Sequence, residues 1–435
     1  MVAKSVWIVL GLAACAAGQV HVRQAGFAEP PAGWQAWAPR AEIAPRTYVD
    51  SVHYRTRPGS LAISGNSNPG VYGGWVYTVA GIQPGKWYRF TAWYRAEGAQ
   101  YERFQVLSRL DWTNARGGRA GWPDYVFSTT REGEWRRVTL DAPAPERAAG
   151  VKLQLYLQNA PSATVWWDDI SLDEIATPGP RNVRVAAINL KPSKAASAAD
   201  AVSQFLEVVE REVPDKAADI ILLPEGITVV GTGKKDAEVA EPVPGPTTER
   251  LGELARRKHS YVVAGIYERE GPLVYNTAVL IDRTGRLTGR YRKVYLPRDE
   301  VDAGITPGSH YPVFATDFGK VGLMICWDVQ YTDPARALAL GGAELILMPI
   351  WGGNETLAKA RAIENHVFLA SSGYDHPTYV MDPDGEMLAL AKERGKAAIA
   401  TIDLNRRYPN WWDGEMRERF MKEVRLDLGP GPLSD

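Results

Sequence analysis

The chain has 435 residues, 50 basic and 51 acidic, and its formal charge of −1 leaves no electrostatic footprint for DNA or RNA. A composition of 45% hydrophobic and 23% charged residues excludes a disordered chain and a body built of membrane spans. Two cysteines, Cys15 and Cys326, exclude a disulfide framework and any zinc site built mainly on thiolates. At about 100–200 residues per domain, the length holds two to four domains.

At the N-terminus, Lys4 precedes an apolar run from Val6 to Ala14 that ends in the small residues Cys15-Ala16-Ala17-Gly18. A positive start, a short apolar stretch and a small-residue end predict a secretory signal over 1–18, and the run is too short to span a bilayer. The expected location is therefore periplasmic, secreted or lipid-anchored. Leu12-Ala13-Ala14-Cys15 resembles the bacterial lipobox and Ala14-Cys15-Ala16 an ordinary cleavage site, so anchoring stays open. A buried N-terminal helix is the plainer alternative. After ordinary cleavage Cys326 is left as a free thiol.

Residues 19–175 read as strands. Of the 15 tryptophans, 11 lie before residue 180, and in Val151–Gln158 the odd positions are apolar, the period of a half-buried strand. Trp75–Val79, Trp87–Tyr94, Phe104–Leu110, Trp135–Leu140 and Thr164–Leu172 are similar runs, separated by turn signals such as Gln83-Pro84-Gly85 and Arg131-Glu132-Gly133. Many short strands without an amphipathic helix predict an all-β sandwich. Ala176-Thr177-Pro178-Gly179-Pro180 then reads as a linker over 176–182, because its prolines lack backbone donors.

From 183 to 435 the pattern becomes strand-then-helix. Val183–Ile188, Ile220–Leu223, Val262–Ile266, Thr277–Ile281, Val321–Ile325, Leu345–Met348 and Val367–Ser371 are short apolar runs. Val202, Phe205, Leu206 and Val209 fall on one helix face, and Leu251–Arg257 is helical. Asp333-Pro334 starts a helix, with Asp333 as N-cap. This half is α/β, without a detectable internal repeat.

Three polar residues stand at strand ends, where ligands bind in layered α/β folds: Glu225, Lys293 and Cys326. Singly they are weak signals, since a buried cysteine is more often packing than nucleophile. Their setting is more specific. Leu223-Pro224-Glu225, Arg292-Lys293-Val294-Tyr295-Leu296-Pro297, Thr306-Pro307-Gly308, Gly322-Leu323-Met324-Ile325-Cys326-Trp327-Asp328, Pro334-Ala335-Arg336, Arg361-Ala362-Ile363-Glu364-Asn365 and Asp382-Pro383-Asp384-Gly385 follow one another in order. In these motifs residues 183–408 resemble the nitrilase superfamily of carbon–nitrogen hydrolases.

The resemblance implies a four-layer αββα sandwich, no cofactor or metal, a homodimer, and a triad of Glu225, Lys293 and Cys326. Chemistry supports those roles. An amide carbon is a poor electrophile and the thiolate is the reactive form of cysteine, so Glu225 is expected to move the thiol proton while Lys293 meets the oxyanion. The backbone N–H of Trp327 is a second candidate donor. The family's further glutamate falls in a window holding Asp299 and Glu300; Glu300 is preferred for its longer reach. Trp351-Gly352-Gly353-Asn354 either lines the substrate pocket through Trp351 and Asn354 or forms a plain turn. Gly231-Thr232-Gly233-Lys234 lacks phosphate-loop spacing, and His310, His366 and Glu364 read as structural.

Residues 25–175 resemble a carbohydrate-binding jelly roll of the galactose-binding-like type, on Gly59-Ser60-Leu61-Ala62-Ile63, Gly85-Lys86-Trp87-Tyr88-Arg89-Phe90 and Val165-Trp166-Trp167-Asp168-Asp169-Ile170. This implies a glycan partner, with Trp112 or Trp122 as stacking platforms, although core packing explains the same tryptophans. The expected protein is an exported thiol hydrolase of a small-molecule amide or N-carbamoyl bond. Nitriles are disfavoured because Asp328 follows Trp327 where true nitrilases commonly carry Cys-Trp-Glu. Acyl transfer by the same residues, and a glycan-binding protein with an inert hydrolase half, are the competing readings.

Overall fold

A computed structural model describes residues 20–374, 378–410 and 414–425. The signal segment 1–18, with Cys15, lies outside the described residues. Gly179–Tyr408 forms one compact unit, and the residues up to Pro178 together with those from Pro409 form the other.

The first unit is two antiparallel sheets over one core. The seven-stranded sheet runs Arg46–Asp50, Ser60–Ser64, Thr164–Ile175, Trp87–Glu97, Trp135–Pro143, Thr129–Glu132, with Val20–Gln24 beside Thr164–Ile175. The five-stranded sheet runs Trp34–Trp37, Tyr72–Ala80, Gly150–Gln158, Val106–Thr113, Asp124–Tyr125. Alternation decides which side chains meet: Val151, Leu153, Leu155 and Leu157 enter the core with Leu61, Phe90, Leu140 and Trp167. Each such side chain contributes about 1.5–3 kcal/mol when taken from water.

Two expectations change here. The run from Phe104 does not begin as a strand, because Glu102–Gln105 closes a helical turn. The Gln105 side chain accepts the Tyr101 N–H at 2.9 Å and donates to the Asn159 carbonyl at 2.9 Å, local bonds that outcompete strand pairing until Val106. Trp112 is no sugar platform. It is fully buried, its indole N–H donating to Asp124 at 2.7 Å, whereas Trp122 is 37% exposed.

The C-terminal boundary also moves. Residues from Pro409 belong with the sandwich rather than with 183–408. The helix Met416–Glu423 packs on Asp124–Tyr125 and on the Glu102–Gln105 turn. Lys422 buries its ammonium there, donating to the carbonyls of Arg103 at 2.8 Å and Val106 at 2.5 Å. A helix pattern in sequence does not say which body the helix docks on.

The second unit holds two six-stranded sheets. One runs Leu287–Arg292, Leu273–Ile281, Tyr261–Glu270, Ile220–Leu222, Asn182–Asn189, Lys396–Asp403. The other runs Val313–Ala315, Lys320–Leu323, Leu345–Pro349, Phe368–Ser372, Thr378–Met381, Met387–Ala391. Val183, Val185, Ile220, Leu222 and Val263 pack against Val321, Leu323, Leu345 and Leu347 of the facing sheet. Their neighbours Ala186, Ile188, Ile221 and Val262 pack outward with Val202, Phe205, Val209, Leu251 and Leu254, from helices Ala198–Glu212 and Pro246–Lys258. Buried on both faces, the central strands read as unbroken apolar runs. Helices Asp333–Leu340 and Glu355–Asn365 accompany the second sheet, and Thr332 rather than Asp333 precedes the former as N-cap.

The halves repeat one another, against the sequence reading. In each sheet three consecutive parallel strands are followed by two antiparallel ones, with one outlying antiparallel strand on the other side. His259 and His366 end equivalent helices in left-handed conformation, φ 51° and 53°. Asp282 and Asp382 close equivalent hairpins, their carboxylates accepting from Thr284 and Arg286, and from Asp384 and Glu386. The repeat lies in topology and turn chemistry, too few positions to stand out in a linear comparison.

Candidate active site

Glu225 follows the three-residue strand Ile220–Leu222. Backbone bonds from Leu223 N–H to Val263 O and from Gly265 N–H to Pro224 O hold its loop against the next strand. The approach requires glycine, since a Cβ on Gly265 would meet the Glu225 Cα at 2.6 Å. Lys293 follows the strand Leu287–Arg292; its N–H donates to Asn276 O, and its own carbonyl accepts the Gly308 N–H at 2.8 Å. The Thr306-Pro307-Gly308 turn thus holds the lysine backbone from the other side.

The structure brings Glu225, Lys293 and Glu300 into one buried cluster. Lys293 Nζ donates at 2.9 Å to Glu225 Oε1 and at 2.9 Å to Glu300 Oε1. The Asn276 amide donates to the same two oxygens, at 2.7 Å each. Asn276 escaped the sequence reading because it lies mid-strand in Leu273–Ile281; a buried asparagine in an apolar run was its one visible signal. Burial alone would lower the Lys293 pKa, but the carboxylate charge of Glu225, with Glu300 beside it, outweighs burial and raises it. Burial raises the Glu300 carboxyl, to about 7, with Lys293 opposing and Glu225 adding to the rise. Glu225 Oε2 and Glu300 Oε2 are buried without a partner among the described residues. Tyr374 donates its hydroxyl to the Glu225 carbonyl.

Cys326 opens a 3-10 turn, Cys326–Gln330, after the strand Lys320–Leu323. Its φ of 41° is left-handed, costly for a residue with a Cβ. The residue is partly exposed, and its Sγ lies 3.3 Å from Gly352 O. Burial of the thiol, then the charge of Glu225, push its pKa up to about 12, against Lys293 and the Trp351 and Gly352 backbone. It rests as a neutral thiol in the field of both partners.

Asp328 joins the cysteine turn to the lysine segment. Its Oδ2 accepts the Ile325 N–H at 2.8 Å and the Tyr291 hydroxyl at 2.7 Å, and its Oδ1 accepts the Tyr295 N–H at 3.0 Å. Burial raises its pKa to about 6. The sequence marked this position only as a departure from Cys-Trp-Glu.

The remaining expected site residues divide. Trp327 and Trp351 are 38% and 43% exposed. The Trp351 ring stands edge-on to Tyr374 at 5.0 Å and comes within 3.3 Å of where a Cβ on Gly226 would be, next to Glu225. Asn354 instead caps Glu355–Asn365, its Oδ1 accepting the Leu357 N–H at 3.0 Å; a cap at a strand-to-helix turn looks the same in sequence as a binding asparagine. Asp299 neighbours Glu300 on the short helix Arg298–Asp302, but Glu300 alone of the two bonds Lys293. Among the described residues no group of three or more His, Cys, Asp or Glu is arranged to hold a metal ion.

Residues 184–409 match the family described as carbon-nitrogen hydrolase. The Homo sapiens omega-amidase NIT2 is 30% identical over 253 residues, covering 51% of this chain and 89% of that protein. A probable nitrilase of Schizosaccharomyces pombe is 32% identical over 225 residues, 47% and 82% of the two chains. The crystal structure of an amidase from Nesterenkonia sp. superposes with a TM-score of 0.48 at 23% identity, over 58% of this chain and 97% of that one. With more than half of its length matched, and with a thiol, a carboxylate and an ammonium gathered at its strand ends, the chain belongs to the carbon-nitrogen hydrolases of the nitrilase superfamily.

Proposed function

We propose that this protein hydrolyses small-molecule amides or N-carbamoyl compounds through a thioester on Cys326. The observation that carries the reading is the buried Glu225–Lys293–Glu300–Asn276 cluster, whose Glu225 and Lys293 charges act on the Cys326 thiol: Glu225 Oε1 takes two donors, and Oε2 has no partner among the described residues. A free carboxylate oxygen in a dry pocket is a ready proton acceptor. Glu225 takes the thiol proton as sulfur attacks the carbonyl carbon. It returns that proton to nitrogen as the C–N bond breaks and the amine or ammonia leaves. Water then attacks the thioester, Glu225 accepts its proton, and the acid departs as the thiol reforms.

Because burial and the Glu225 charge push the thiol pKa up, sulfur needs Glu225 to take its proton before it is an effective nucleophile. Lys293 supplies positive charge to the oxyanion with the Trp327 N–H beside it; loss of one such donor costs about 3–4 kcal/mol in the barrier. Glu300 and Asn276 hold Lys293 and Glu225 in register. Amide turnover fits the names of the omega-amidase and amidase relatives.

The test is an amide, carbamoyl and nitrile panel offered to the wild type and to Cys326→Ala, with mass spectrometry of Cys326 during turnover. Acyl adduct and activity are expected in the wild type only. Equal turnover by both proteins would end the proposal, and product formed only with an added amine acceptor would reassign it to acyl transfer.

A further inference from the structure

Tyr267 stands beside the catalytic cluster, on the strand Tyr261–Glu270 and directly opposite Asn276 in register. It lies two residues after Gly265, so it shares the strand face that meets the Glu225 backbone. The ring is buried, and one edge comes within 3.4 Å of where a Cβ on Gly226 would be. Val229 and Trp351 approach the same point, at 3.3 Å each. Tyr267, Val229 and Trp351 thus form a largely apolar wall next to Glu225, with Val274 and Ile305 packed against its first two members. Trp351 carries that wall out to solvent.

A carboxylate ends the wall. Asp236 opens the short helix Asp236–Val239, which packs on the Tyr267 strand, and the Glu241 N–H donates to the Tyr267 carbonyl at 3.1 Å just beyond it. The Tyr267 hydroxyl meets the half-buried Asp236 carboxylate in a hydrogen bond. No lysine or arginine forms an ion pair with Asp236 among the described residues. Lys293 gives its hydrogen bonds to Glu225 and Glu300, and Lys234 and Lys235, the preceding residues, are exposed. Burial raises the Asp236 pKa, with the Glu225 charge adding to the rise and the Tyr267 hydrogen bond and Lys293 opposing it. A half-buried carboxylate that faces a like charge is unfavourable, and a cation brought beside it would relieve it.

We propose, resting on the amide reading above, that the substrate carries an ammonium on a short aliphatic chain beyond its scissile carbonyl, and that Asp236 receives that ammonium. The methylenes of such a chain leave water against Tyr267, Val229 and Trp351. The aromatic faces of Tyr267 and Trp351 add attraction for the cation as it passes. A neutral chain end forgoes the ion pair, and an anionic one meets the charges of both Asp236 and Glu225. Asp236 is therefore a specificity residue: it selects the charge of the substrate and takes no part in moving the thiol proton.

The test offers the full chain 5-aminopentanamide, hexanamide and adipamate, which end one and the same methylene spacer in an ammonium, a methyl and a carboxylate. The kcat/KM for 5-aminopentanamide is expected to exceed that for hexanamide by about tenfold or more, with adipamate below both. Asp236→Asn should bring 5-aminopentanamide and hexanamide within about threefold of each other, chiefly by raising KM for the cation. A thermal transition shows whether the variant folds; if it does not, the charge series in the wild type decides. Turnover of the cation no faster than of hexanamide or adipamate, or a cation preference kept in folded Asp236→Asn, would overturn this inference and leave amide hydrolysis standing. No turnover of any of the three, with no acyl adduct on Cys326, would instead overturn the amide reading, and the role of Asp236 would fall with it.

Discussion

Replacing Asp328 by asparagine asks whether one buried carboxylate sets the distance between nucleophile and cation. Asp328 accepts three donors: two on Oδ2, from Ile325 N–H and the Tyr291 hydroxyl, and one on Oδ1, from Tyr295 N–H. Asparagine keeps a single acceptor oxygen, so its amide turns a donor toward a donor. One buried donor left unpaired costs about 1–3 kcal/mol. Relief from burying an ionised carboxyl, whose pKa burial raises to about 6, offsets part of this. The expected stability loss is therefore roughly 1–2 kcal/mol.

Activity should suffer more. Tyr291 and Tyr295 flank Lys293 by two residues on either side, and Cys326 stands two residues before Asp328. A shift of about 1 Å at a reacting group costs on the order of 100-fold. The assay is a denaturant midpoint together with kcat and KM on an amide substrate. A positioning role predicts kcat down about 10–100-fold with KM little changed. Wild-type kcat in a destabilised but folded Asp328→Asn would refute the reasoning and leave Asp328 a structural tie alone.

The Cys326 thiol, raised to about 12, should alkylate with iodoacetamide at a rate climbing about tenfold per pH unit from pH 7 to 9; a plateau near 8.5 would mark an unperturbed thiol. Cys326→Gly, equally inactive, should be more stable than Cys326→Ala by about 1 kcal/mol in denaturant, because glycine relieves the left-handed φ; the reverse order would show that no strain is stored there. Glu300 has a folded pKa raised from 4.5 to about 7, so its contribution to stability is fully present below 4.5 and lost as pH climbs through 7. Wild type should therefore lose stability relative to Glu300→Gln between pH 5 and 8; parallel profiles would mean that Glu300 is not held up by burial.

Local signals and tertiary ones separate cleanly along this chain. Period-two alternation in Val151–Gln158 dictated a strand whose odd positions enter the core, although Gln154 and Tyr156 on its other face are buried as well, and continuous apolar runs such as Ile220–Leu222 dictated strands covered on both sides. These periods follow from backbone geometry and need no partner to be visible. Ordered motifs around Glu225, Lys293 and Cys326 likewise carried the chemistry, because each residue ends a strand and ordinary local patterns mark strand ends. Phe104 was misplaced where the side-chain bonds of Gln105, not periodicity, set the boundary, and the helix cap was misplaced by one residue, at Asp333 instead of Thr332.

Only the fold could decide what comes from across the sheets. Asn276 reaches the carboxylates because its strand pairs beside the Glu225 strand's neighbour, and Asp328 meets Tyr291 because the cysteine turn abuts the end of the strand that precedes Lys293. Trp112 and Trp122 are equally plausible platforms in the sequence, yet one is core and the other 37% exposed, since packing decides which indole is covered. The docking of Met416–Glu423 on the sandwich, and the repeat of one sheet topology by the other, are likewise set by contacts between residues hundreds of positions apart or by shape without shared sequence. Periodicity tells a segment which face to bury; the partner that covers it is chosen by packing.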